Sequence, residues 1–76
     1  MKLTIEISAS PVLGGMYESK VVITEDSDSG VVVRSPQFNE LSNTKEDALA
    51  FAKARAYKTM QEDYEQGVEF KIIERD

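Results

Sequence analysis

The sequence predicts a two-layer α+β fold in the order β-β-β-α-β, an antiparallel sheet with one helix packed on one face. Three observations predict it. Leu3, Ile5 and Ile7 alternate with polar residues at the period of a half-buried strand. A second alternating run leads into an acidic, glycine-closed turn and a third apolar run, the pattern of a hairpin. A long stretch of helix-forming residues then precedes a last alternating run. At 76 residues, folding buries only about 60% of the surface that the unfolded chain exposes. One modest core follows, and with it a single domain over residues 1–76.

The first strand covers Lys2 to Ser8. Ser10-Pro11 interrupts its alternation, and Gly14-Gly15 supplies the backbone freedom that a reversal needs. Val12 and Leu13 either cover an edge of the core or carry the strand onward across a bulge. The second strand runs from Tyr17 to Glu25, with Tyr17, Ser19, Val21 and Ile23 on one face and Glu18, Lys20, Val22 and Thr24 on the other. Asp26 to Gly30 forms the turn, and Val31 to Arg34 the third strand. Pro36 stops that strand or confines it to an edge, because proline has no N–H for a ladder. Phe38 and Leu41 are expected to pack from a short extended segment before the helix.

Thr44 is the predicted N-cap, with Asp47 at the third helical position to complete a capping box in form. The helix runs to about Glu62 or Tyr64, and Gly67 is placed to stop it. Val68, Phe70 and Ile72 then alternate against Glu69, Lys71 and Ile73 in the last strand. The expected inward set is Leu3, Ile5, Ile7, Val21, Ile23, Val31, Val33, Val68, Phe70 and Ile72.

On a helix, Ala48, Leu49, Ala52, Ala56 and Met60 share one third of the circumference, which makes them the core-facing stripe. Phe51 points about 120° away from the centre of that stripe, near Arg55, Lys58 and Glu62. Either Phe38 or the Pro36 loop wraps round to cover it, or it belongs to a second buried surface. The second alternative makes Phe51, Arg55, Lys58 and Glu62 the candidate partner-binding residues, an aromatic ring beside an arginine being the composition of an interface anchor. Val22, Val32 and Ile73 are expected on the sheet face away from the helix. Dimerisation through one of these surfaces, or through exposed strand edges, is expected.

Composition excludes several kinds of chemistry. The chain has no cysteine, histidine or tryptophan. Thiol nucleophiles, disulfides, imidazole bases and metal sites built on Cys or His are therefore ruled out. Asp26-x-Asp28-x-Gly30 has part of a calcium loop's spacing, but Gly30 stands where a third ligand is needed and no bidentate glutamate follows. Gly14-Gly15 lacks the lysine and hydroxyl of a phosphate loop. Ser42 and Lys45 have the spacing of a Ser-x-x-Lys pair only at a helix cap. Gln61 to Glu65 reads as a solvated, fraying helix end. No enzyme activity, cofactor or metal is expected.

The formal charge of −5 argues against direct nucleic-acid binding, where phosphate neutralisation supplies much of the affinity. Apolar runs such as Val21 to Ile23 and Val31 to Val33 fall far short of the ~20 residues of a membrane span. A cytoplasmic protein without membrane contact is the expectation.

The segment from Lys20 to Met60 resembles the HicB-type antitoxin domain. The matching pieces are Val21 to Glu25, the Asp28 to Gly30 turn, Val31 to Arg34, Ser35-Pro36, and Thr44-Lys45-Glu46-Asp47-Ala48 with Ala52. The family's Pro-Asp-Leu-Pro-Gly stretch is replaced here by Pro36-Gln37-Phe38-Asn39-Glu40, and the strand from Lys2 to Ser8 precedes the matching hairpin. The resemblance implies a homodimer that neutralises a small basic RNA-cleaving toxin by docking an acidic surface on it. Promoter binding is not expected, because 76 residues leave no room for the separate DNA-binding segment of many family members. The function expected is that of a small acidic interaction or regulatory protein. A phage-type inhibitor or DNA mimic that occupies a nucleic-acid-binding machine is the alternative, as is a non-enzymatic domain of another role.

Overall fold

Apolar residues at every second position give the first two strands one dry face each, and pairing them buries both rows together. A computed structural model describes residues 1–36 and 40–75. Strand β1 (Lys2–Val12) pairs antiparallel with β2 (Met16–Ser27), setting Ile5 opposite Ile23 and Ile7 opposite Val21. These four side chains and Leu3 are the largest fully buried ones. β1 continues beyond Ser8 through Pro11 and Val12 in unbroken register with β2. The strand is thus carried onward as the second alternative had it but without the expected bulge, and Leu13 lies beyond its end, exposed. Gly14 and Gly15, with φ of +87° and +74°, make the reversal into β2.

Strand β3 (Gly30–Arg34) follows a turn of only two residues, Asp28 and Ser29. β4 (Leu41–Ser42) pairs with the same edge of β2 nearer the first hairpin. Between them, the Ser19 N–H donates to the Glu40 carbonyl and the Ser35 hydroxyl to that of Val21. The chain thus keeps to the edge of β2 on either side of residues 37–39. Phe38, expected to pack ahead of the helix, lies outside the described residues. Leu41, expected to pack with it, is exposed.

Helix α1 (Lys45–Asp63) starts as its sequence requires, with the Thr44 side chain accepting from the Asp47 N–H at 3.1 Å. Its buried residues are Ala48, Ala52, Ala56, Thr59 and Met60, the predicted stripe apart from half-buried Leu49 and the addition of Thr59. The helix lies over β1 and β2. Ser19, buried on β2, donates its hydroxyl to the Ala48 carbonyl at 2.7 Å and anchors the helix's first turn to the sheet. At the other end Tyr64 turns extended as the C-cap, and Gly67 (φ +88°) acts three residues later, in the turn into β5 (Glu69–Arg75).

The two-layer α+β architecture is the predicted one, and its sheet is mixed. Strand order is β3-β2-β1-β5, with β5 parallel to β1 and the other pairings antiparallel. A parallel neighbour needs a crossover, and α1 supplies it. The long first hairpin runs past the end of β5, whose register stops at Ser8, and the molecule reaches 44 Å in its longest dimension.

Three expectations about the core are corrected. Val31 and Val33, expected to face inward, pair with Asp26 and Thr24 on the face away from the helix and are exposed. Val32, expected on the wet face, pairs with Glu25 on the helix side and is also exposed. The cause is turn length. A side-chain period of two means that one residue more or less in the turn exchanges the faces of the whole following strand. Phe70 does lie on the helix side, opposite Leu3, but on an edge strand it stays 37% exposed. Val68 and Ile72 are half-buried against the core.

Candidate interaction surface

Phe51 and Arg55 are half-buried on α1, outside the core cluster, while Lys58 and Glu62 are exposed and paired at 3.9 Å one turn apart. Tyr57 shows which way this flank looks. Its ring meets Phe70 of β5 edge-on, with centroids 6.0 Å apart and planes at 80°. Phe51 and Arg55 occupy the opposite flank of the helix and therefore look toward the β3–β4 side. Phe38, one of the two residues expected to cover Phe51, lies outside the described residues.

The helix end on that side carries a cluster that sequence reasoning missed. Arg34, at the end of β3, donates to the Asp63 carboxylate and to the Tyr64 hydroxyl, each at 2.9 Å. The Tyr64 hydroxyl in turn donates to Glu25 of β2 at 2.5 Å, and the guanidinium sits 5.6 Å from the Tyr64 ring centroid. Four side chains thus fasten the last helical turn to β2 and β3. This explains why the helix stops at Asp63: Tyr64 leaves the helical path to bring its hydroxyl between Glu25 and Arg34. Pairs separated by 30 and 39 positions leave no local trace in a sequence.

Burial, followed by the hydrogen bond to Glu25, holds the Tyr64 phenol above its ordinary pKa of 10.0, although Arg34 acts in the opposite sense. Hydrogen bonding to Asp63, then to Tyr64, raises the Arg34 guanidinium. A phenol whose folded pKa is raised contributes stability that is complete below pH 10 and is lost as pH climbs through the folded value. Tyr64→Phe is therefore expected to cost about 1 kcal/mol at neutral pH, the net worth of a partly exposed hydrogen-bonded hydroxyl. It should also remove one component of the stability lost above pH 10. Urea denaturation of both proteins at pH 7 and above pH 10 checks this; an equal alkaline loss in the two would contradict it.

Among the described residues, the sheet ends on two edges that pair with no further strand. On one, Val31, Val32 and Val33 are 62%, 54% and 63% exposed, and Leu41 follows on β4. Pro36 was a sequence signal of this edge, since proline so close behind a strand favours one. The other edge, β5, carries Glu69, Lys71, Glu74 and Arg75, with Arg75 bonded to Glu6 at 2.9 Å. Beside it, Tyr57, Met60, Tyr64, Val68 and Phe70 line a shallow, open cleft of about 220 Å³. On the sheet's outer face the register puts Val22 and Ile73 on either side of Glu6, so the expected patch there is divided by a carboxylate.

Acidic side chains collect at one end of the molecule. The register sets Asp26, Lys2 and Glu69 in one row, Asp28 follows in the adjoining turn, and Glu62, Asp63 and Glu65 end the helix above. Among the described residues, no three carboxylates come together as a metal site. No described helix is long and apolar enough to cross a membrane. No protein-family description, curated protein or solved structure matches this chain.

Proposed function

We propose that this chain is a small protein-interaction or regulatory module of the HicB-like antitoxin kind, which neutralises a small basic RNA-cleaving protein by docking its acidic end on it. The observation that carries this reading is the acidic end itself, where Asp26, Asp28, Glu65 and Glu69 are exposed at the end of the sheet that holds the apolar cleft of Tyr57, Val68 and Phe70. An apolar patch rimmed by charge is the composition of a protein-docking surface. The resemblance adds support, because its pieces fall on β2, β3 and the start of α1. Those elements adjoin one another through the β2–β3 ladder and the Ser19–Ala48 hydrogen bond.

Binding of this kind is steered by charge and screened by salt over a Debye length of about 10 Å at 0.1 M. Co-expression with a small basic RNA-cleaving protein encoded beside this chain is expected to yield a co-purifying complex and to relieve growth arrest. The variant Asp26→Asn, Asp28→Asn, Glu69→Gln should bind at least about tenfold more weakly at low salt, with a shallower salt dependence. Failure to form a complex at low salt, or equal affinity for the neutralised variant, would overturn the reading.

A further inference from the structure

We infer that β3 is a self-pairing edge: two copies of this chain join antiparallel through Gly30–Arg34, about a twofold axis at Val32, into one continuous sheet. The inference rests on reading the chain as an interaction module, but not on the nature of any other partner.

The first argument is the state of the edge. The sheet order ends at β3, and no described strand pairs with its far side. α1 lies over β1 and β2, leaving Val32 exposed on the helix side, while Val31 and Val33 are exposed on the other. An unpaired strand that is apolar on both faces is a template for another strand. β5 is the rival edge, and its four charged side chains in seven residues are the usual protection against such pairing.

Geometry supplies the second argument. A two-residue turn closes on a hydrogen-bonded pair, here Ser27 and Gly30. Antiparallel ladders alternate, so Val32 directs its backbone groups toward β2, whereas Val31 and Val33 direct theirs outward. In a pairing centred on Val32, Val31 of each copy meets Val33 of the other as a hydrogen-bonded pair. The two Val32 residues then face each other as the close, non-hydrogen-bonded pair. The outward donors and acceptors are thereby matched, and β-branched side chains meet on both faces.

Charge is the third. Each copy carries −5, so association is favoured where acidic side chains are absent. Gly30–Arg34 contains none. The same register sets Arg34 of one copy opposite Gly30 of the other, so no carboxylate of either strand faces its mate across the interface.

A five-residue strand pair is smaller than a standard interface of ~1,600 Å², so a concentration-dependent dimer in about the micromolar range is expected. Sedimentation over about three decades of concentration should show it. Val32→Asp, which sets two carboxylates opposite each other on the axis, should raise the dissociation constant at least about 100-fold with an unchanged circular dichroism spectrum. Val32→Thr should remain a dimer. Because the chain has no cysteine, Val32→Cys provides a direct distance test. A close pair with Cα atoms about 4.5 Å apart lies within disulfide reach, so this variant should cross-link with itself under mild oxidation, well ahead of Phe70→Cys on β5. A wild type that stays monomeric, a Val32→Asp dimer, or cross-linking no faster at Val32 than at Phe70 would overturn the inference. Each is read with no other protein present, so the result is separate from that of the toxin-binding experiment.

Discussion

Ile5→Ala is expected to remove about 3 kcal/mol of folding stability and to bring the protein close to unfolding at room temperature. Ile5 is fully buried in β1, the strand flanked by β2 and β5, with Ile23 opposite on one side and Ile72 on the other. Ala52 and Ala56 of α1 belong to the same cluster. Truncation loses the transfer free energy of the missing carbons and leaves a cavity that two paired strands and a helix cannot close, for a cost of about 2–5 kcal/mol. A 76-residue domain has a total stability of only about 4–11 kcal/mol. Urea denaturation should show a midpoint lowered by a large fraction with little change in slope. A loss below about 1 kcal/mol would show that the centre of the core is not packed as described.

Ala52→Leu tests the other layer and should cost about 2 kcal/mol in the opposite geometric sense, by overpacking. Ala48, Ala52 and Ala56 are fully buried, and small side chains along this stripe let the helix lie close on β1 and β2. Leucine is nearly as good a helix former as alanine, so backbone preference contributes little and the loss reports packing. The added carbons must tilt or lift the helix, which also strains the Ser19–Ala48 hydrogen bond and the Arg34–Asp63–Tyr64 cluster at its two ends. Thermal denaturation and near-ultraviolet circular dichroism of the tyrosines read both effects. Unchanged stability would mean that space exists beneath the helix, contrary to the burial of its alanines.

The candidate surfaces were legible to different degrees. Phe51 and Arg55 stood out because an aromatic ring away from a helix's apolar stripe breaks a local period, and they are half-buried on the flank toward β3 and β4. The acidic end was half visible: the Asp26–Asp28 turn is a contiguous signal, whereas Glu65 and Glu69 join it only through the parallel placement of β5. The Arg34–Tyr64–Glu25 cluster was not visible at all, since none of its members lies within one turn or one hairpin of all the others. The three valines were seen but assigned to the wrong faces.

The sequence by itself determined the α+β class, the central rows Leu3–Ile5–Ile7 and Val21–Ile23, the Thr44 cap and the alanine stripe of the helix. All of these are periodicities or short-range capping chemistry, written within one element. Only the tertiary structure decided which strands are neighbours, that β5 runs parallel to β1, and that the valines of β3 stay in water. The reason is physical: a strand's period states that it has two faces, not which one the next strand must match. Here a two-residue turn set the register of β3, and a helix centred on β1 and β2 left that strand's apolar edge open.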